Sequence, residues 1–149
     1  MADLYQAIVE QAPEAMIFAD REGAIRLWNA RAEEMFGYAA SEAVGGSLDL
    51  IIPPHLRAAH WQGYQRAMAA ARTRSDGKPM LTRATYKDGS KLYVDVAFAI
   101  VLDERHGVLG ALATARIASK PKASGTRTGM RERRRLPRHR MCSKQLRNA

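Results

Sequence analysis

The segment Lys91–Leu102 carries Leu92, Val94, Val96, Phe98 and Ile100 at every second position. Side chains of a β-strand alternate between two faces, so this spacing makes one face of a long strand wholly apolar. Such a strand needs neighbours for its backbone groups and a second layer over its apolar face. Residues 80–86 read as a strand before it, across the turn signal Lys87-Asp88-Gly89-Ser90. Asp103-Glu104-Arg105-His106-Gly107 turns the chain after it, and Val108–Ile117 returns as a last strand. Leu109, Leu112 and Ile117 are expected to add to the apolar face, with a bulge near Gly110 reconciling the opposite parities of Leu109 and Leu112.

The N-terminal half supplies the remaining strands and the cover. Leu4, Ala7, Ile8 and Ala12 have helical spacing, and Pro13 ends that helix. Residues 15–19 are a short apolar run and 24–29 alternate as a strand. Between them, Asp20-Arg21-Glu22-Gly23 supplies a turn in which Gly23 is free to take positive φ. The pair reads as a β-hairpin. Asn29 is placed to cap a helix over Ala30–Phe36, and Gly37 to end it. A short helix over 41–44 stops at Gly45-Gly46. Leu48, Leu50, Ile51 and Ile52 cluster before Pro53-Pro54, and a longer helix covers about 55–72. The order predicts an α+β fold: a five-stranded antiparallel sheet with its apolar face covered by the helical middle.

The net charge of +9 invites a nucleic-acid reading, so its location matters. Of 24 Lys+Arg and 15 Asp+Glu, eleven and one (Glu132) fall in 120–149, which leaves 13 and 14 for 1–119. The domain is therefore read as residues 1–119, with 1–13 as an N-terminal cap helix. Residues 120–149 read as a basic tail expected to be disordered. Three readings of the tail stay open. It makes weak, nonspecific contact with nucleic acid or an anionic surface by counterion release; it is a solvated linker; or it is non-native sequence from a shifted frame, since composition changes after Ser119.

The one cysteine, Cys142, rules out an intramolecular disulfide and a cysteine cluster for zinc or iron–sulfur. No apolar run is long enough to span a bilayer, and the first residues lack the pattern of a signal peptide. A cytoplasmic location is the expectation.

The run Trp28-Asn29-Ala30-Arg31-Ala32-Glu33-Glu34-Met35-Phe36-Gly37-Tyr38 resembles the N-x-x-x-E-x-x-F-G-Y signature of the PAS family. Ser41-Glu42-Ala43-Val44-Gly45-Gly46 is similar to the family's S-x-E-x-x-G segment, with a shift in spacing. Residues 48–53 match its L-x-x-L-I-P region, and Tyr86-Lys87-Asp88-Gly89-Ser90 its K-D-G turn. The motifs fall in order across 1–119. The resemblance implies helices on one face of a five-stranded sheet, with a pocket between the sheet and the long helix. It also implies a signal-sensing module acting in signal transduction or regulation of transcription, by small-ligand binding, protein–protein contact or both. A homodimer, a separate signalling protein or both are the expected partners, and no output domain of its own is expected. Family members bind haem, flavin, small metabolites or nothing, so the cofactor is left unknown. Cysteinyl-flavin photochemistry and a thioester-linked chromophore are excluded, because no cysteine lies in 1–119.

Haem is the sharper alternative, as a gas or redox sensor. Arg57, His60 and Arg66 resemble the R-x-x-H and following Arg of the haem-PAS oxygen-sensor kinases. The resemblance makes His60 a candidate haem-iron ligand, the one metal-site candidate, and Arg66 a candidate partner for a haem propionate. Tyr64 is a third pocket candidate; the kinases place a tyrosine at the position of Gly63, so the ring is turned here by about 100°. The competing structural reading makes His60 a surface or half-buried helix residue, Arg66 solvated, and Trp61 and Tyr64 core packing. His60, Tyr64 and Met68 are four apart and form one stripe. If that stripe faces the sheet, His60 points inward. If Trp61, Met68 and the alanines at 58, 69 and 71 face it instead, His60 points to solvent and the haem reading fails. A small-ligand enzyme is the competing class, and the expectation is no enzyme. Ser41, Ser47, Ser75 and Ser90 sit at turns or caps, and no phosphate loop or H-E-x-x-H spacing occurs.

Overall fold

The computed structural model describes residues 3–119. The basic tail, its three readings and Cys142 lie outside the described residues.

The chain runs α1 (Leu4–Glu10), β1 (Ala15–Asp20), β2 (Ile25–Trp28), α2 (Ala30–Phe36), α3 (Ala40–Ala43), α4 (Arg57–Ala70), β3 (Met80–Thr85), β4 (Lys91–Leu102) and β5 (Val108–Ile117). Two 3-10 turns, Leu48–Leu50 and Pro54–Leu56, lead from α3 into α4. The longer helix expected over 55–72 is thus divided, with Pro54 in the tighter turn that opens it. The five strands form one antiparallel sheet in the order β2-β1-β5-β4-β3. The α+β architecture expected from the pattern is the one observed.

Register explains which face is covered. Val96 of β4 pairs with Ala115 of β5, and Ala115 with Ala15 of β1. Ile17 lies across from Ala113, and Ala113 from Phe98. On β3, Ala84 pairs with Leu92. This inner row packs against Ala32, Met35 and Phe36 of α2 and Ala43 of α3. The apolar parity of β4 is therefore the inner one.

The last strand departs from expectation. The irregularity lies opposite Val101 and Leu102, beside Leu109 and Gly110, but it leaves Leu112 on the outer face, in register with Phe18 and Ala99. The inner positions of β5 are instead Ala111, Ala113 and Ala115. Leu109 and Ile117 are exposed. Small residues fit there because β5 is the central strand and its inner face is crowded by side chains of both neighbours.

Both sheet edges are tied to the helical middle. Ile25 donates its N–H to Gly46 O at 2.8 Å and accepts from Gly45 N at 2.7 Å, which occupies the free side of β2. Thr85 N donates to Ile51 O, and Lys87 N to Phe36 O. Trp28, at the end of β2, is buried against Phe36 with ring centroids 5.6 Å apart, and its Nε1 donates to Tyr38 O at 2.9 Å.

Asn29 joins these parts. It is fully buried, and its side chain makes four hydrogen bonds. Oδ1 accepts from Met16 N (2.9 Å) and Ala32 N (3.0 Å); Nδ2 donates to Val9 O (2.8 Å) and Glu14 O (3.1 Å). One residue thus caps α2, holds the start of β1 and anchors the end of α1. Asn29→Ala strands these buried groups and is expected to destabilise the fold by about 2–4 kcal/mol. The check is a urea titration, in which the midpoint should fall with little change in slope.

Candidate functional site

The site is built outward from Asp49, at the centre of the first 3-10 turn. Ser47 caps that turn, its Oγ accepting from Asp49 N at 3.1 Å. The Asp49 carbonyl accepts from Arg57 Nη2 at 3.1 Å, and Arg57 Nε donates to Ile52 O at 3.1 Å. The Asp49 carboxylate lies 3.9 Å from Arg57 Nε and accepts from Trp61 Nε1 at 2.8 Å. These bonds fix the azimuth of the first turns of α4. Sequence patterning did not single out Asp49, because an acid in a short irregular turn carries no periodic signal.

That azimuth turns Trp61 and Tyr64 toward the β1–β2 turn. The indole of Trp61 lies over Gly23, where φ is +84° and a Cβ would collide with the ring. The Tyr64 hydroxyl is 2.5 Å from Asp20 O and 3.1 Å from Ala19 O, so its single proton is shared between two backbone carbonyls. Burial, reinforced by the charge of Asp20, pushes the Tyr64 hydroxyl up to about 12 and keeps it a donor. The turn it grips is itself organised by the Asp20 carboxylate, which accepts from Glu22 N, Ala24 N and Arg26 Nε.

His60 sits inside this frame. Its ring centroid is 4.7 Å from Trp61 and 5.9 Å from Tyr64. Its Nδ1 is buried with no hydrogen-bond partner, alone in that condition among the described residues. Burial holds the imidazole below its ordinary value of 6.5, against a smaller upward pull from Asp49. Further along the stripe, Met68 is buried at 8% exposure, whereas Ala58, Ala69 and Ala71 are exposed. Met68 belongs to either arrangement; the exposed alanines, with His60 and Tyr64 half-buried, make the His60–Tyr64–Met68 face the one turned inward. Arg66 is exposed and stands apart from His60 on the helix surface. The structure therefore brings His60 and Tyr64 together and leaves Arg66 outside that cluster.

Neither of two surface clefts among the described residues includes His60. One, of about 430 Å³, is bounded by Glu22, Gly23, Gly45, Ser47, Trp61 and Gln65. The other, of about 270 Å³, lies on the outer side of the sheet beside Asp95, Thr114 and Arg116. No group of three or more His, Cys, Asp or Glu placed to hold a metal ion occurs among the described residues. Nor is any of their helices long and apolar enough to cross a membrane.

The family model described as PAS fold matches residues 3–117. The chain belongs to the PAS family. It is 28% identical over 120 residues to the oxygen sensor protein DosP of Escherichia coli K12, a match covering 80% of this chain and 15% of that relative's length. The PAS domain of a Colwellia psychrerythraea protein superposes with a TM-score of 0.67 at 21% identity, covering 78% of this chain and 96% of that one. The PAS domain, in complex with ethanol, of a LuxR-family transcriptional regulator from Burkholderia thailandensis gives 0.60 at 15% identity, covering 80% and 100%. The two structural matches speak to fold alone.

The depressed His60 titration has a measurable consequence. Its folded value lies below the unfolded value of 6.5, so protons bind the unfolded chain more readily. The stability from a neutral His60 is complete above about pH 6.5 and is lost as pH falls through the folded value. Urea midpoints measured at about pH 7.5 and 5.5 should therefore fall on acidification, and His60→Phe should flatten that fall.

Proposed function

We propose that this PAS chain is a sensor whose signal enters as a small ligand at α4. It leaves by contact with a second copy of the chain or a separate signalling protein, in signal transduction or regulation of transcription. The observation that carries the reading is the partnerless Nδ1 of His60 within its aromatic frame. Buried polar groups are nearly always paired, and exceptions point to a function. A ligand that pairs with this nitrogen gains on the order of 1–3 kcal/mol that a histidine at the surface would not offer. The ethanol complex of the LuxR-family neighbour supports a small-molecule role for this fold. The reading assigns the chain no catalytic step, and places it in the cytoplasm.

Haem is the specific ligand that the His60 donor fits by its chemistry, although neither described cleft includes His60. A neutral imidazole is an iron ligand, and burial keeps His60 neutral. His60 would hold the iron and exposed Arg66 would meet a propionate. Tyr64 would flank the group rather than bond it, since its hydroxyl is engaged by Ala19 and Asp20. Bound haem would supply gas or redox sensitivity, in keeping with the oxygen-sensor name of the Escherichia coli relative. An absorption scan of protein made with haem supplied should show an intense Soret band, and His60→Ala should abolish it. A colourless protein that takes up no added haem would leave the small-metabolite reading in its place.

Dimerisation is proposed through α1. Leu4, Tyr5 and Ile8 are 68%, 75% and 55% exposed, and the helix has no buried residue. A seven-residue helix gains little from its own backbone and is stabilised by burying an apolar face. Sedimentation at micromolar concentration should give a dimer, and Ile8→Glu should shift it to monomer.

A further inference from the structure

The helix α4 meets the β1–β2 hairpin through two aromatic contacts that reach only backbone. Trp61 lies on Gly23, and the Tyr64 hydroxyl bonds the carbonyls of Ala19 and Asp20. The rings themselves touch, with centroids 5.4 Å apart, and His60 is in contact with both. The gripped turn is a closed unit: Asp20 N donates to Ala24 O at 2.9 Å, Gly23 N donates to Asp20 O at 2.9 Å, and Arg26 closes on the Asp20 carboxylate at 2.8 Å. Asp20 O thus serves two donors, Gly23 N from within the turn and Tyr64 from the helix.

We propose that Trp61 and Tyr64 form a clasp that transmits any change at His60 to the tip of the β1–β2 hairpin, with Tyr64 as the positioning residue. The inference rests on the reading that a ligand engages His60, but the clasp is a property of the chain itself. Three features support it. A displaced His60 ring has two immediate neighbours along the helix face, and both are anchored on the same turn. The Trp61 indole is pinned at its other end by the Asp49 carboxylate, so it pivots rather than slides. The shared carbonyl makes the turn's own hydrogen bond responsive to the tyrosine, because the Tyr64 bond holds Asp20 O in the place from which it accepts Gly23 N. Beyond the hairpin, β2 leads directly to Asn29, whose side chain holds the end of α1. The clasp therefore gives the helix a physical connection toward the N-terminal segment.

The test needs no ligand and uses the 149-residue chain. Amide hydrogen exchange is measured in wild type, His60→Ala, Tyr64→Phe and the double variant. Tyr64→Phe should speed exchange at Gly23 and Ala24 about five-fold, the equivalent of one ordinary hydrogen bond. The amides of Gly89 and Ser90, in the β3–β4 turn away from this route, serve as the internal control and should not change. His60→Ala should alter exchange at Gly23 and Ala24 in wild type, and add nothing further in the Tyr64→Phe background. Equal acceleration at every amide, no response of the hairpin to Tyr64→Phe, or independent effects in the double variant would overturn the clasp. A separate haem titration followed by the Soret band decides the haem reading, and its failure leaves the exchange result standing.

Discussion

Burying an amide side chain costs free energy unless its donors and acceptor are all engaged, and Asn29 meets that condition with partners from four separate places in the chain. Its oxygen caps α2 and receives the start of β1; its nitrogen holds the end of α1 and the residue that enters β1. The geometry works only when β2 delivers Asn29 beside the first strand, which requires the hairpin register in which Ile17 pairs with Trp28. Because α1 contributes no buried side chain, its position depends on this amide and on the backbone around it. Secondary structure, sheet register and the attachment of the N-terminal helix are therefore mutually dependent at one residue.

The long helix α4 is held differently. Its alanines at 58, 59, 69 and 70 face solvent, and Met68 is its one buried residue. Its position comes from the Asp49–Arg57–Trp61 group at one end and the Tyr64 contact with β1 in the middle. Each is a directional bond rather than broad apolar burial. A helix held in this way moves at less cost than one locked by interdigitated side chains, since few close contacts have to be remade. A sensing role suits such a helix, because a ligand shifts an equilibrium only by its differential affinity for the two arrangements.

Much of the layout was legible from local chemistry. The period-two pattern of β4 named its own inner face, Asn29 and Gly37 marked the ends of α2, and the Gly23 turn joined β1 to β2. The role of Asn29 beyond capping was not legible, because Val9, Glu14 and Met16 contribute only backbone atoms to it. Asp49 escaped notice for a similar reason: its partners Arg57 and Trp61 lie eight and twelve residues away and meet it only after two 3-10 turns. Leu112, expected to add to the apolar face, lies on the outer one, because strand parity overrides hydrophobicity once the register with β1 is set.

The amino-acid pattern by itself determined the α+β class, the strand and helix order, and the absence of cysteine chemistry from residues 1–119, since each follows from short-range periodicity or composition. Only the tertiary structure decided that His60 lies within an aromatic frame with a partnerless buried nitrogen, that Tyr64 bonds the β1–β2 turn, and that Arg66 stands outside. These depend on the azimuth of α4, which is set by bonds to Asp49 and to the carbonyls of Ala19 and Asp20. A helical repeat states which residues share a face, but the direction that face takes is fixed by partners distant in sequence.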